Sequence, residues 1–166
     1  MILRGLVDED IVNYHKTSMY LIFPHCSFKC DKECGAPVCQ NSTLAGAPIV
    51  EISPEDICER YINNPLTSAI VCGGLEPFDS KFDLLRLIDC LRRKHNCNDD
   101  VVIYTGYTEE EITGADNDFT IMFENLVQYS NIIIKFGRFL PNQESHYDEV
   151  LEVNLASLNQ YAKRVS

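Results

Sequence analysis

The chain has 166 residues and a mass of 18.9 kDa, which suits one compact domain and lets folding hide roughly 70% of the unfolded chain's surface. Hydrophobic residues make up 45% and charged residues 23%, a balance that excludes disordered, collagen-like and coiled-coil chains. Fourteen basic residues against 25 acids give a net charge of −11, and so negative a surface repels phosphate backbones and anionic lipid headgroups, so neither nucleic acid nor a membrane is an expected partner.

Met1 to Asp10 carries the acidic run Asp8-Glu9-Asp10 where a secretory signal needs an unbroken apolar stretch, and no later run approaches the ~20 apolar residues of a membrane span. A cytoplasmic location is expected. Met19 to Pro24 reads as a strand that delivers the chain into a cysteine-rich loop. Ser53-Pro54-Glu55-Asp56 starts a helix: a capping serine, a proline suited to the first turn, and two acids at the positive end of the helix dipole. That helix is predicted to end at about Asn63, before Asn64-Pro65. Ser68 to Cys72 is a second strand, apolar on both faces as buried parallel strands are.

From Asp79 the spacing of Leu84, Leu85, Ile88 and Leu91 marks the apolar face of a helix, with Arg92, Arg93 and Lys94 in its last turns. Val101 to Thr105 is a third strand, Thr108 and Glu111 form a capping-box pattern, and Asn131 to Phe136 supplies a fourth strand. Beyond Arg138 the pattern weakens to loop plus a short strand around Val150 to Leu155. The alternation β, α, β, α, β, α, β predicts an α/β fold with a parallel sheet and crossover helices, read as one domain over residues 1–166.

Cysteine placement carries the chemistry. Cys26, Cys30, Cys34 and Cys39 fall within fourteen consecutive residues, while Cys58, Cys72, Cys90 and Cys97 are scattered. In a reducing compartment, crowded cysteines bind metal or react more often than they form bridges. Thiolates favour zinc, copper(I) or iron–sulfur clusters. Structural zinc prefers two tight cysteine pairs well apart, whereas a single loop at a strand end wraps an iron–sulfur cluster more easily. Both metals stay open on spacing alone. Cys58, Cys90 and Cys97 read as small buried hydrophobes, and Cys72, ending a strand beside two glycines, is placed near the site without being a ligand. Glu109-Glu110-Glu111 reads as a solvated first helical turn, and no G-x-S-x-G pattern supports a hydrolase.

Cys26-x3-Cys30 followed by a later cysteine resembles the cluster loop of radical S-adenosylmethionine enzymes, and the details are similar to the small activating proteins of anaerobic ribonucleotide reductase. Asp10-Ile11-Val12-Asn13 resembles the lead-in of that family, Val71-Cys72-Gly73-Gly74-Leu75-Glu76-Pro77 its GGEP-type loop, and Ile103-Tyr104-Thr105-Gly106-Tyr107-Thr108 its third-strand motif. Gly137-Arg138-Phe139 and Leu155-Ala156-Ser157, followed after one residue by Asn159-Gln160, look like its C-terminal signatures. There are departures. The family spaces its ligands C-x3-C-x2-C, so the third is either Cys34, one residue late, or Cys39, beyond a larger insertion. Val38-Cys39-Gln40-Asn41 matches the family's surroundings better. Leu75 intrudes between Gly74 and Glu76, and Phe136 stands where the family carries an acid.

The resemblance implies an incomplete (βα) barrel-like parallel sheet with a cluster loop at about residues 25–42. It implies a 4Fe-4S cluster on Cys26, Cys30 and Cys39, with Cys34 as the alternative third ligand. S-adenosylmethionine would bind through Gly73, Gly74, Glu76, Tyr104, Thr105 and Gly106. Glu76 is expected to meet the methionine ammonium, and Tyr104, Thr105 and Gly106 the nucleoside half. The implied activity is glycyl-radical generation on a partner enzyme, the large subunit of anaerobic ribonucleotide reductase, with a flavodoxin- or ferredoxin-type electron donor. The rivals are a radical enzyme of the same class with another substrate, and a non-catalytic zinc or iron–sulfur module held by all four loop cysteines.

Overall fold

The computed structural model describes residues 1–114 and 118–166. In chain order, β1 (Ile2–Leu3), β2 (Gly5–Asp10) and β3 (Ser18–Phe23) precede the short helix α1 (Lys29–Cys34) and β4 (Val50–Glu51). Then come α2 (Pro54–Ile62), β5 (Ala69–Gly74), α3 (Lys81–Asp89), β6 (Asp100–Tyr104), α4 (Glu109–Thr113) and α5 (Asp118–Leu126). The chain closes with β7 (Ile132–Phe136), β8 (His146–Asp148), β9 (Val153–Leu155) and β10 (Tyr161–Arg164).

Six strands form one sheet in the order β10-β7-β6-β5-β3-β2. The inner four, β3, β5, β6 and β7, are parallel, and β2 and β10 flank them antiparallel. The inner strands stand where the apolar runs place them. The edges do not follow the simple alternation: β2 (GLVDED) and β10 (YAKR) are polar, half-exposed strands, and charged edges of that kind discourage further pairing but hide the strand signal in sequence. The expected helix after Ser53 is α2, whose Ser53 Oγ accepts the Asp56 N–H at 3.0 Å. The helix expected from Asp79 begins instead at Lys81, after a tight turn at Pro77–Ser80, and its last residues, Cys90–Lys94, form a widened π turn. The capping box at Thr108 and Glu111 is present, but it starts only a five-residue helix. The short C-terminal strand is narrower than expected, Val153–Leu155, and pairs with β8 in a separate ribbon.

Register explains the packing. Met19, Ile70, Val101 and Ile132 are paired across the four parallel strands and belong to the larger core with Ile57, Tyr61, Leu84, Ile88, Met122 and Leu126 from the helices. Their neighbours Val71, Val102 and Ile133 point to the other face and pack with Tyr14, Leu151, Leu155 and Ala162, none of them helical. One face is therefore covered by helices and the other by coil and short strands.

Asp100, at the start of β6, organises that second face. Its buried carboxylate accepts from the Tyr14 hydroxyl (2.9 Å), Lys16 Nζ (2.5 Å) and Arg164 Nη1 (2.8 Å). Burial opposes ionisation, but these three partners hold its pKa below the ordinary carboxylate value. Asp100→Asn is expected to lower stability by about 1–3 kcal/mol in urea unfolding, since it removes the charge from hydrogen bonds that are stronger with an ionised acceptor.

Candidate metal centre

At the carboxyl ends of the parallel strands the coil-covered face opens into a cavity of about 360 Å³, a volume typical of small-molecule sites. Loops leaving the strand ends of an α/β sheet line such crevices. Here two glycines help make the room. A Cβ on Gly73 would lie 3.0 Å from the Tyr20 ring and 3.4 Å from Tyr104 Cβ, and one on Gly74, where φ is +82°, would meet Ile22 Cγ2 at 2.5 Å. Gly74 lines the cavity, whereas Gly73 is absent from its lining and lets Tyr20 and Tyr104 close up behind it.

The cysteine loop forms one wall. Cys26, Cys30 and Cys39 line the cavity; Cys34 does not. Local chemistry explains how a sulfur nine positions after Cys30 returns to it. Helix α1 ends at Gly35 in the left-handed conformation (φ 64°), which reverses the chain. Asp31 Oδ1 then accepts the N–H groups of Val38 (2.8 Å) and Cys39 (2.7 Å). The intervening residues are folded outward, and the Cys39 thiol returns close enough to Cys30 to help raise its pKa. Asn41 Nδ2 donates to the Gly74 carbonyl at 2.8 Å, pinning the end of the loop to β5. Burial raises the Cys26 thiol to about 11 and the Cys30 thiol to about 12. Without metal both are protonated at neutral pH, so a metal that takes them as thiolates must displace their protons.

Glu76 is the polar hub. It is buried, and its carboxylate accepts from Thr105 Oγ1 (2.8 Å), the Gly106 N–H (2.8 Å) and the Phe78 N–H (3.1 Å). Its own N–H donates to the His25 carbonyl at 2.7 Å, beside Cys26. Burial outweighs these donors and lifts its pKa to about 7. Across the cavity Lys135 donates to the Gly137 carbonyl at 2.7 Å, and burial lowers its pKa to about 8 while the Glu76 charge opposes the fall. Tyr104, Thr105 and Gly106 all line the cavity. Tyr104 donates its hydroxyl to the Asn13 carbonyl at 2.5 Å, which ties β6 to the N-terminal lead-in.

A family model described as a 4Fe-4S single cluster domain matches residues 16–161. The chain belongs to the 4Fe-4S single cluster domain family. Comparisons with curated proteins and with solved structures give no significant match. The metal chemistry is that of iron and sulfide, and the single-zinc reading of the loop gives way. As a 4Fe-4S single cluster domain the chain needs soft thiolate donors gathered in one place, and the cavity wall supplies three.

Several cavity residues went unassigned in the sequence. Lys135 sits in an otherwise apolar strand run, where its neighbours disguise it. Arg138 and Gln160 fall within motifs whose role is visible only in three dimensions. Arg138 Nη2 donates to Glu111 Oε1 at 2.5 Å, as does Lys29 Nζ at 3.0 Å. Burial would raise the Glu111 pKa, yet the hydrogen bonds from Arg138, the Thr108 N–H and Lys29 bring it down to about 2. The acid expected as a solvated helical turn thus fastens α4 to the cysteine loop. Gln160 Nε2 donates to the Gly137 carbonyl (3.2 Å) and its Oε1 accepts the N–H groups of Ala156 and Ser157 (3.0 and 3.1 Å), clamping the rim. Cys72 is a correction: it is fully buried in the helix-covered core, away from the cavity.

Two outcomes are expected. Replacing Cys26, Cys30 or Cys39 by Ser will each strip iron and sulfide from a level of about four per chain, while Cys34→Ser retains them, as read by metal and acid-labile sulfide analysis. In the metal-free protein, the folded state keeps the Glu76 proton up to about pH 7 and the unfolded chain releases it near 4.5. The stability this contributes is complete below the lower value and is lost as pH rises through the upper one. Unfolding free energies from urea titrations of the wild type will therefore fall more steeply between about pH 4.5 and about pH 7 than those of Glu76→Gln, by up to roughly 3 kcal/mol.

Proposed function

We propose that the chain is a radical S-adenosylmethionine enzyme that makes a glycyl radical on a partner protein, most simply an anaerobic ribonucleotide reductase, and that its sheet is the incomplete (βα) barrel of that class. The observation that carries this reading is that three loop cysteines, and not the fourth, line a cavity shared with Glu76, Thr105 and Gly106. Three thiolates leave one iron of a four-iron cluster for another donor, whereas a passive electron-transfer cluster is held by four. The chemistry the cluster supplies when bound is one electron to the sulfonium of S-adenosylmethionine, the class of reaction that ends in removal of hydrogen from a glycine backbone.

The polypeptide's part is to bind, orient and shield. Glu76 has three protein donors on its two oxygens and an ionised carboxylate offers about four acceptor sites, so capacity is left for a ligand ammonium. In the free protein burial holds its pKa near 7, and an ammonium placed beside it favours the ionised carboxylate and brings that value down. Thr105 and Gly106 hold Glu76 in place, and Tyr20 and Tyr104 offer ring surface on the same face. An electron donor of the flavodoxin or ferredoxin type fits an exposed-rim cluster loop of this kind, and the glycine to be oxidised would enter from the rim at Val12 and Phe139.

Anaerobically reconstituted protein with dithionite and S-adenosylmethionine is expected to yield 5′-deoxyadenosine and methionine. Glu76→Ala should weaken S-adenosylmethionine binding by about tenfold, and Cys34→Ser should keep the cleavage. Iron and sulfide with no 5′-deoxyadenosine would return the protein to the non-catalytic, four-cysteine reading, whereas cleavage lost in Cys34→Ser with its fold intact would make Cys34 the third ligand in place of Cys39.

A further inference from the structure

Away from the cavity, one other set of soft donors converges among the described residues: Cys58, Cys90 and His95, whose ligand atoms all lie within 4.8 Å of one another. Sequence patterning makes the two cysteines small core residues, and both are indeed buried. It does not account for the imidazole. Cys58 projects from the packed face of α2, and Cys90 opens the widened turn that ends the α3 helix. That turn is closed by the His95 N–H donating to the Cys90 carbonyl at 3.3 Å. In a regular α-helix residues five apart point about 140° away from each other. The i→i+5 turn brings them back to the same side, and such turns are rare and concentrated at functional sites. The backbone irregularity is therefore what carries His95 over Cys90 and towards Cys58.

We propose that Cys58, Cys90 and His95 bind a zinc ion that ties α2 to the end of α3, independently of the cysteine loop. Two thiolates and an imidazole are a zinc donor set, and Zn–S of about 2.3 Å with Zn–N of about 2.0 Å puts tetrahedral ligands roughly 3.5–3.8 Å apart, inside the observed envelope. Charge fits as well. Two thiolates cancel the dication, so the occupied site is neutral and suits the apolar core around it. The fourth corner is supplied by water. Cys90 also borders a surface groove with Glu55, Arg86, Asp89 and Lys94, which gives metal and water a way in. Zinc binding requires both thiols to lose protons to solvent, with no change of oxidation state.

The test uses the full-length chain carrying Cys26→Ser, Cys30→Ser, Cys34→Ser and Cys39→Ser, so that no loop sulfur contributes. Cobalt(II) added anaerobically is expected to give thiolate-to-cobalt absorption and the visible bands of a four-coordinate site, saturating at about one equivalent and displaced by zinc. His95→Gln alters only a partly exposed side chain and leaves the core intact; it is expected to shift the visible bands and weaken zinc retention by about tenfold or more. Cys58→Ala with Cys90→Ala should abolish both signals. The proposal is overturned by absence of cobalt–thiolate absorption in a chain whose circular dichroism shows it folded. It is equally overturned by a spectrum unchanged in His95→Gln, or by mass spectrometry of anaerobically isolated protein showing Cys58 and Cys90 joined as a disulfide.

Discussion

The Asp31 carboxylate sets the geometry on which the site rests. By taking the N–H groups of Val38 and Cys39 on one oxygen, it converts a long excursion between cysteines into a closed turn that returns the third sulfur to the second. Hydrogen bonds to a charged acceptor are roughly twice as strong as neutral ones, and two of them at the neck of a short loop suffice to fix its exit. Helix α1 and Gly35 prepare the turn; Asp31 completes it. Cys34, at the end of α1, is carried outside the cavity as a consequence.

From that wall the structure is built inward through Glu76. The Glu76 carboxylate, just past the end of β5, joins that strand to Thr105 and Gly106 beyond β6, and the Glu76 backbone N–H reaches the His25 carbonyl beside the first cysteine. The cost is a buried acid whose pKa is pushed up to about 7, and a facing Lys135 pushed down to about 8. Burial drives each towards its neutral form. A cavity lined by groups poised in this way responds to a charged ligand by ionising, a behaviour typical of functional sites and rare in plain cores.

The rim is a second layer of the same logic. Arg138 and Lys29 converge on Glu111, and Gln160 and Asn159 hold the carbonyls of Gly137 and Arg138. The C-terminal segment, which pairs antiparallel to β7 through β10, thus serves as a strap that keeps the loop after β7 against the cavity. No helix among the described residues is long and apolar enough to cross a membrane, and helices α2 to α5 pack on one face of the sheet, leaving the other for the site.

What the sequence determined by itself was whatever local chemistry encodes: the four buried parallel strands, whose apolar runs have no other use; the Ser53 cap and the Thr108–Glu111 box; and the crowding of cysteines after the first core strand. Tertiary structure decided the rest, because it depends on partners far apart along the chain. The edge strands β2 and β10 are polar and become strands only by pairing. Selection of Cys39 over Cys34 as a cavity residue depends on Asp31 and Gly35 acting together. Lys135 is unremarkable in an isoleucine run until the strand is laid beside Tyr104. Most clearly, Cys58 and His95 are 37 positions apart and meet only because two helices pack and one of them widens its last turn, a backbone event that no residue type announces.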